Sequence, residues 1–91
     1  MGLDMKELTM FYFEGCPYCR QALRWHEEIF KEHPEYRQVP LKMIDEKRQP
    51  AIAAEYDYYY VPTYYIGREK LHEGVKEKNL VEECFRRAYN G

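Results

Sequence analysis

The sequence predicts an α/β domain in which four strands form one mixed sheet with helices on both faces, in the order β-α-β-α-β-β-α. Three observations carry that prediction. Short aromatic and β-branched runs alternate with stretches whose apolar residues recur every three or four positions, the periods of strand and helix respectively. The first two strands are separated by a segment long enough for a helical crossover, which makes them parallel, whereas the two-residue Gly67-Arg68 turn makes the last two antiparallel. Finally, 91 residues suffice for one small domain, and no repeat or low-complexity linker divides residues 1–91.

Residues 6–13 (KELTMFYF) are short, aromatic and partly alternating, and they end at Glu14-Gly15, which predicts a buried strand. Pro17 stands where a helix tolerates proline, in the first turn, because an N–H there has no intrahelical partner. From Cys19 onward Ala22, Trp25, His26, Ile29 and Phe30 share one helical face. His33-Pro34 closes that helix, since the residue before a proline is pushed out of helical geometry. Residues 38–45 (QVPLKMID) predict a second strand, and Pro40, with no N–H for a ladder, places it at a sheet edge. Pro50 opens a short helix to about residue 56. Residues 61–66 (VPTYYI) predict the third strand and residues 69–72 the fourth. In the last helix, residues 76–89, Leu80, Val81, Cys84, Phe85 and Ala88 form one apolar stripe. Trp25, Cys84 and a hydrogen-bonded His26 are expected in the core.

Composition narrows the chemistry. Fourteen Lys and Arg against sixteen Asp and Glu give a net charge of −2, which offers no basic field for nucleic acid. The tyrosines from Tyr56 to Tyr65 therefore read as part core and part rim of a site, not as a stacking surface for bases. No apolar run approaches the ~20 residues that span a bilayer, and the opening MGLDMKEL lacks a signal peptide's basic-then-apolar layout. The expectation is a cytoplasmic protein that binds no membrane. With no serine, and only Thr9 and Thr63 as threonines, a serine nucleophile is excluded. The three cysteines, Cys16, Cys19 and Cys84, are too few and odd in number for a disulfide-stapled extracellular module. A pair three apart then means metal binding or thiol redox chemistry.

The segment Cys16-Pro17-Tyr18-Cys19 sets a C-x-x-C pair on a strand-to-helix transition. Only a thiolate attacks a disulfide. At a helix start, Cys16 faces backbone N–H groups without partners and the positive end of the helix dipole, both of which favour the anion. Cys19, one turn in and deeper, lies on the same side, within reach to attack a mixed disulfide formed at Cys16. Cys16 is thus the expected nucleophile and Cys19 the resolving thiol. Zinc needs two further ligands, and Cys84, His26, His33 and His72 show no zinc-like spacing, so no metal is expected.

Together these residues resemble the glutaredoxin branch of the thioredoxin fold along nearly the whole chain. The likeness rests on a leading strand into CPYC, on Val61-Pro62 before the aromatic strand Tyr64, Tyr65 and Ile66, on Gly67 and Gly74, and on a final helix. CPYC is the form typical of dithiol glutaredoxins. The resemblance implies a thioredoxin-like sheet, a cis Pro62, a Val61 backbone that pairs with the cysteinyl part of a substrate, and Pro17 and Tyr18 lining the site. It implies a thiol–disulfide oxidoreductase, monomeric and without a tightly bound cofactor. It further implies glutathione as co-substrate, with disulfide-containing client proteins or glutathione adducts receiving the electrons. The backbone at Gly74-Val75 is expected to hold a glutathione α-carboxylate. Two alternatives stand beside this reading. One is a glutathione-independent redoxin reduced by thioredoxin reductase and serving a dedicated enzyme, which Lys76 and Tyr60 favour. The other is an iron–sulfur or metal carrier with Cys16 of two chains bridging a cluster, against which Pro17 speaks, because a stiff helix start beside a resolving thiol favours disulfide closure.

Overall fold

Alternation along the first strand divides the core. In the computed structural model, which describes residues 5–91, β1 (Leu8–Tyr12) sends Leu8 and Met10 to one face of the sheet and Phe11 to the other. The N-terminal part of the leader reading, residues 1–4, lies outside the described residues. After β1 come α1 (Pro17–Glu32), a 3-10 helix (Pro34–Gln38), β2 (Leu41–Asp45), α2 (Pro50–Ala53), β3 (Thr63–Ile66), β4 (Glu69–His72) and α3 (Lys78–Asn90). The sheet order is β2-β1-β3-β4. β1 and β2 are parallel with Leu8 opposite Leu41, while β1–β3 and β3–β4 are antiparallel.

The predicted mixed sheet with helices on both faces is therefore present. One face is covered by α1 and α3, whose Ala22, Ile29, Val81, Cys84, Phe85 and Ala88 close over Leu8, Met10 and Tyr64. On the other, Phe11, Ile44 and Tyr65 are covered more thinly, by Ile52 and Ala53 of the one-turn α2 and by Tyr56, Tyr58 and Val61. Three aromatic rings stand against Phe11 there, Tyr56 at 4.7 Å, Tyr58 at 4.8 Å and Tyr65 at 5.6 Å between centroids.

Several boundaries differ from expectation, each for a local reason. The second strand begins at Leu41, not residue 38, because residues 34–38 wind into a 3-10 helix that turns Tyr36 inward onto His33, ring centroids 4.9 Å apart. Pro40 contributes its carbonyl instead, which accepts the Leu8 N–H at 2.8 Å, and β2 does lie at an edge. The third strand starts at Thr63, since the Val61-Pro62 peptide bond is cis and the chain joins the ladder only after it. The helix at Pro50 is one turn long and buries no residue fully.

His26 is the buried, hydrogen-bonded residue its position on α1 predicted. Its Nε2 lies 2.7 Å from the Tyr64 hydroxyl, and its ring meets Phe85 edge-on at 5.0 Å. Burial lowers its pKa to about 4, so the ring is neutral at pH 7. Cys84 is buried beside them on α3, its thiol pushed up to about 12 by the same desolvation. Trp25 is half-buried and packs against this core.

Candidate active site

Sheet register decides where the chemistry-bearing residues meet. Phe11 pairs antiparallel with Thr63, so the C-terminal end of β1 and the residues leading into β3 share one edge. The chain leaves β1 at Tyr12 and turns at Gly15, whose φ of +93° is a left-handed conformation that any L side chain resists. It enters α1 with Cys16 as the N-cap residue, at φ −76° and ψ 117°. A cysteine takes the place that Ser, Asp or Asn usually fills, and its sulfur does the capping: Sγ accepts the Cys19 N–H at 3.3 Å. No acidic residue stands in the first turn, so no carboxylate offsets the positive end of the helix dipole.

Cys19 sits one turn in, 2% exposed, against 4% for Cys16. The expected difference in depth is thus small; the environments differ more. Burial, then the contact with the Cys16 side chain, pushes the Cys19 thiol up to about 12, so it is protonated at neutral pH. Cys16, Cys19 and Cys84 are all free thiols. Cys19 also borders a separate hollow of about 300 Å³ with Gly15, Leu23 and Met43.

Beside the cysteines opens a cleft of about 390 Å³ lined by Tyr18, Tyr60, Val61, Glu73, Gly74 and Lys76. Tyr18 and Tyr60 are largely exposed. Among the described residues the Val61 N–H and carbonyl carry no hydrogen bond, although the groups flanking them do. The Tyr60 N–H donates to Glu73, the Tyr60 carbonyl accepts the Thr63 hydroxyl, and the Pro62 carbonyl accepts the Val75 N–H at 3.0 Å. One residue of backbone with both polar groups open, Val61, remains at the mouth of the site.

At Gly74-Val75, where a backbone anion site is expected, the N–H groups already have partners. The Val75 N–H is spent on Pro62 and the Gly74 N–H on the Thr63 hydroxyl at 3.3 Å, while Val75 itself is buried in the core. Gly74 lines the cleft by its surface, at φ +62°, where an added Cβ would stand 3.1 Å from the Tyr60 Cβ. Pro62 is buried beneath the site, and Pro17 and Tyr18 lie on its exposed rim.

Glu73 was not legible as a site residue, and it braces the cleft. Its Oε2 accepts the N–H groups of Tyr59 at 2.6 Å and Tyr60 at 3.1 Å, and its Oε1 takes Lys70 Nζ at 2.7 Å. The Lys70 ammonium, followed by the Tyr59 N–H, holds the Glu73 carboxyl below its usual range. The spacing of Lys70 and Glu73 hinted at that ion pair; the link to Tyr59 and Tyr60, fourteen and thirteen positions away, left no sequence signal. Thr63 was signalled only by standing next to Pro62 in a chain with one other hydroxyl-bearing Thr or Ser. Among the described residues one group of possible metal ligands, Glu32, His33 and Glu82, comes together, and it includes neither Cys16 nor Cys19.

Solved structures place this architecture. The chain is similar to the oxidised thioredoxin of Plasmodium falciparum, with a TM-score of 0.70 at 13% identity over 97% of this chain and 85% of that one. It is similar to a thioredoxin-like protein from Clostridium perfringens, with a TM-score of 0.64 at 23% identity over 93% of this chain and 71% of that one. Human ERp44 in its zinc-bound form gives a TM-score of 0.59 at 18% identity, matching 94% of this chain but 27% of that longer one. No protein-family model matches the chain, and no curated protein matches it in sequence. The chain has the thioredoxin fold, and its Cys16–Cys19 spacing fits a C-x-x-C pair at the head of the first helix.

Proposed function

We propose that the protein is a dithiol–disulfide exchanger of glutaredoxin type. The observation that carries this reading is the Cys16 sulfur at the N-cap of α1, accepting the Cys19 N–H while Cys19 waits beside it as a buried, protonated thiol. The helix end and the amide stabilise negative charge on one sulfur of the pair and leave the other in reserve.

The Cys16 thiolate attacks one sulfur of a client disulfide, forms a mixed disulfide and expels the other client sulfur as a thiolate, which takes up a proton. Cys19 then gives its proton to solvent and attacks Cys16. The second client sulfur leaves as a thiolate, becomes a thiol, and a Cys16–Cys19 disulfide remains. Two electrons have moved from the protein to the client. Two molecules of glutathione restore the dithiol and become one glutathione disulfide. The open Val61 backbone supports a client segment laid along it as an added strand.

The chemistry needs no tightly bound cofactor and one copy of the chain. It suits the cytoplasm, where thiols are kept reduced. A second reading, a redoxin recharged by thioredoxin reductase, is favoured by a specific observation: the Gly74 and Val75 N–H groups that would receive a glutathione carboxylate are already occupied. An NADPH-coupled assay separates the two. Oxidised protein turning over with glutathione and glutathione reductase supports the first; turnover only with thioredoxin reductase replaces it with the second. Consumption in neither system, with any disulfide substrate, defeats both.

A further inference from the structure

The cleft beside Cys16 holds two charged side chains, and they are not equivalent. Glu73 has both oxygens committed, to the Tyr59 and Tyr60 N–H groups and to Lys70. Its charge is spent inside the protein. Lys76 is exposed, and its ammonium stands 4.9 Å from the centre of the Tyr18 ring, with no carboxylate partner among the described residues. Among those residues Lys76 is the one cationic side chain lining the cleft; near it Lys70 pairs with Glu73, and farther off Arg48 pairs with Glu14 and Asp45 and Lys78 with Glu28 and Glu32, while Arg20 and Lys47 lie outside the cleft. The walls of the cleft are otherwise aromatic and aliphatic, from Tyr18, Tyr60 and Val61. An incoming chain therefore meets one uncompensated positive charge against low-dielectric walls, beside the backbone that would hold it.

We propose that Lys76 makes the protein selective for disulfide clients carrying a carboxylate side chain next to the reacting cysteine. The inference rests on the oxidoreductase reading. A client lying along Val61 places its cysteine at Cys16 and a neighbouring side chain over Tyr18, where an Asp or Glu pairs with the Lys76 ammonium and a Lys or Arg is repelled. Tyr18 holds the ammonium in place by its ring face, so less side-chain freedom is lost when the pair forms. Charge complementarity of this kind acts on encounter and on discrimination between partners more than on bare affinity.

The test uses the reduced full-length protein in single turnover against cystine-bridged peptides identical except for Asp, Asn or Lys beside the cysteine, with oxidised glutathione as a fourth substrate. The second-order rate constant should fall from Asp through Asn to Lys, spanning about tenfold at low salt and shrinking as ionic strength rises. Lys76→Arg should keep the order, Lys76→Met should flatten it, and Lys76→Glu should invert it. Equal constants for the three peptides in the wild-type protein, or an unchanged order in Lys76→Glu, overturns the proposal while leaving disulfide reduction intact. A Lys76 dependence confined to oxidised glutathione also overturns it, because the carboxylate read would then be glutathione's. Reduction of every substrate no faster than by the Cys16→Ser protein defeats the oxidoreductase reading itself, and the selectivity with it.

Discussion

Cys84 in the middle of α3 and Cys16 at the head of α1 are both almost wholly shielded from water, yet they are placed for opposite ends. Around Cys84 burial is the largest influence: Val81, Phe85 and Ala88 seal the same face of α3, and the thiol is pushed up to about 12. Around Cys16 the chain has just left β1, and the sulfur completes the helix by accepting the Cys19 N–H. Cys19 lies between the two cases, its thiol raised chiefly by burial like that of Cys84 but in contact with the Cys16 sulfur. Low exposure thus says little about a cysteine's chemistry; what the backbone offers to its sulfur says more.

The sharpest break in this comparison is substitution of each cysteine in turn. Cys16→Ser should lower disulfide reduction by at least about a hundredfold, because a hydroxyl at the same cap is no substitute for the thiolate. Cys84→Ser should leave turnover per folded molecule within about twofold. Comparable losses from both, measured on folded protein, would erase the distinction between the two sites. Cys19→Ser should rank next: a covalent complex with a protein-disulfide client accumulates on non-reducing gels, while removal of glutathione adducts through Cys16 persists. Failure to trap any mixed disulfide would deny Cys19 its role.

The third prediction concerns the sealed side. His26 has a folded pKa of about 4 against about 6.5 when exposed, so between these values the unfolded chain binds a proton that the folded one refuses. This contribution is fully present above about 6.5, declines as pH falls and is gone by about 4, a change of about 3 kcal/mol. Denaturant midpoints for His26→Gln should show a flatter slope across that window; an identical slope would mean His26 is not buried as a neutral ring. The smallest effect belongs to the cleft. Gly74→Ala should cost about 1–2 kcal/mol, from the left-handed backbone and the close Tyr60 Cβ, read as a lowered melting temperature. No loss of stability would show that this loop relaxes freely.

Much of this arrangement was legible because local physics wrote it. Pro40 announced an edge strand, the three- and four-residue recurrence placed His26 and Cys84 inside, and Pro17 between two cysteines marked a helix start. What escaped reading depends on contacts distant in sequence. Residues 34–38 look like the approach to a strand until Tyr36 turns in against Tyr89, a ring that only the folded α3 brings near. Gly74 and Val75 look like free anion donors until the loop folds back onto Pro62 and Thr63. Glu73 looks like a surface charge until the segment Tyr59-Tyr60 arrives against it.

The central claim, that the head of α1 activates one sulfur of three, is tested most directly by alkylation of the reduced protein with iodoacetamide from acidic to mildly alkaline buffers, each cysteine followed separately by mass spectrometry. Cys16 should be modified first and fastest, while Cys19 and Cys84 stay protected. Equal rates at Cys16 and Cys19 would contradict that claim.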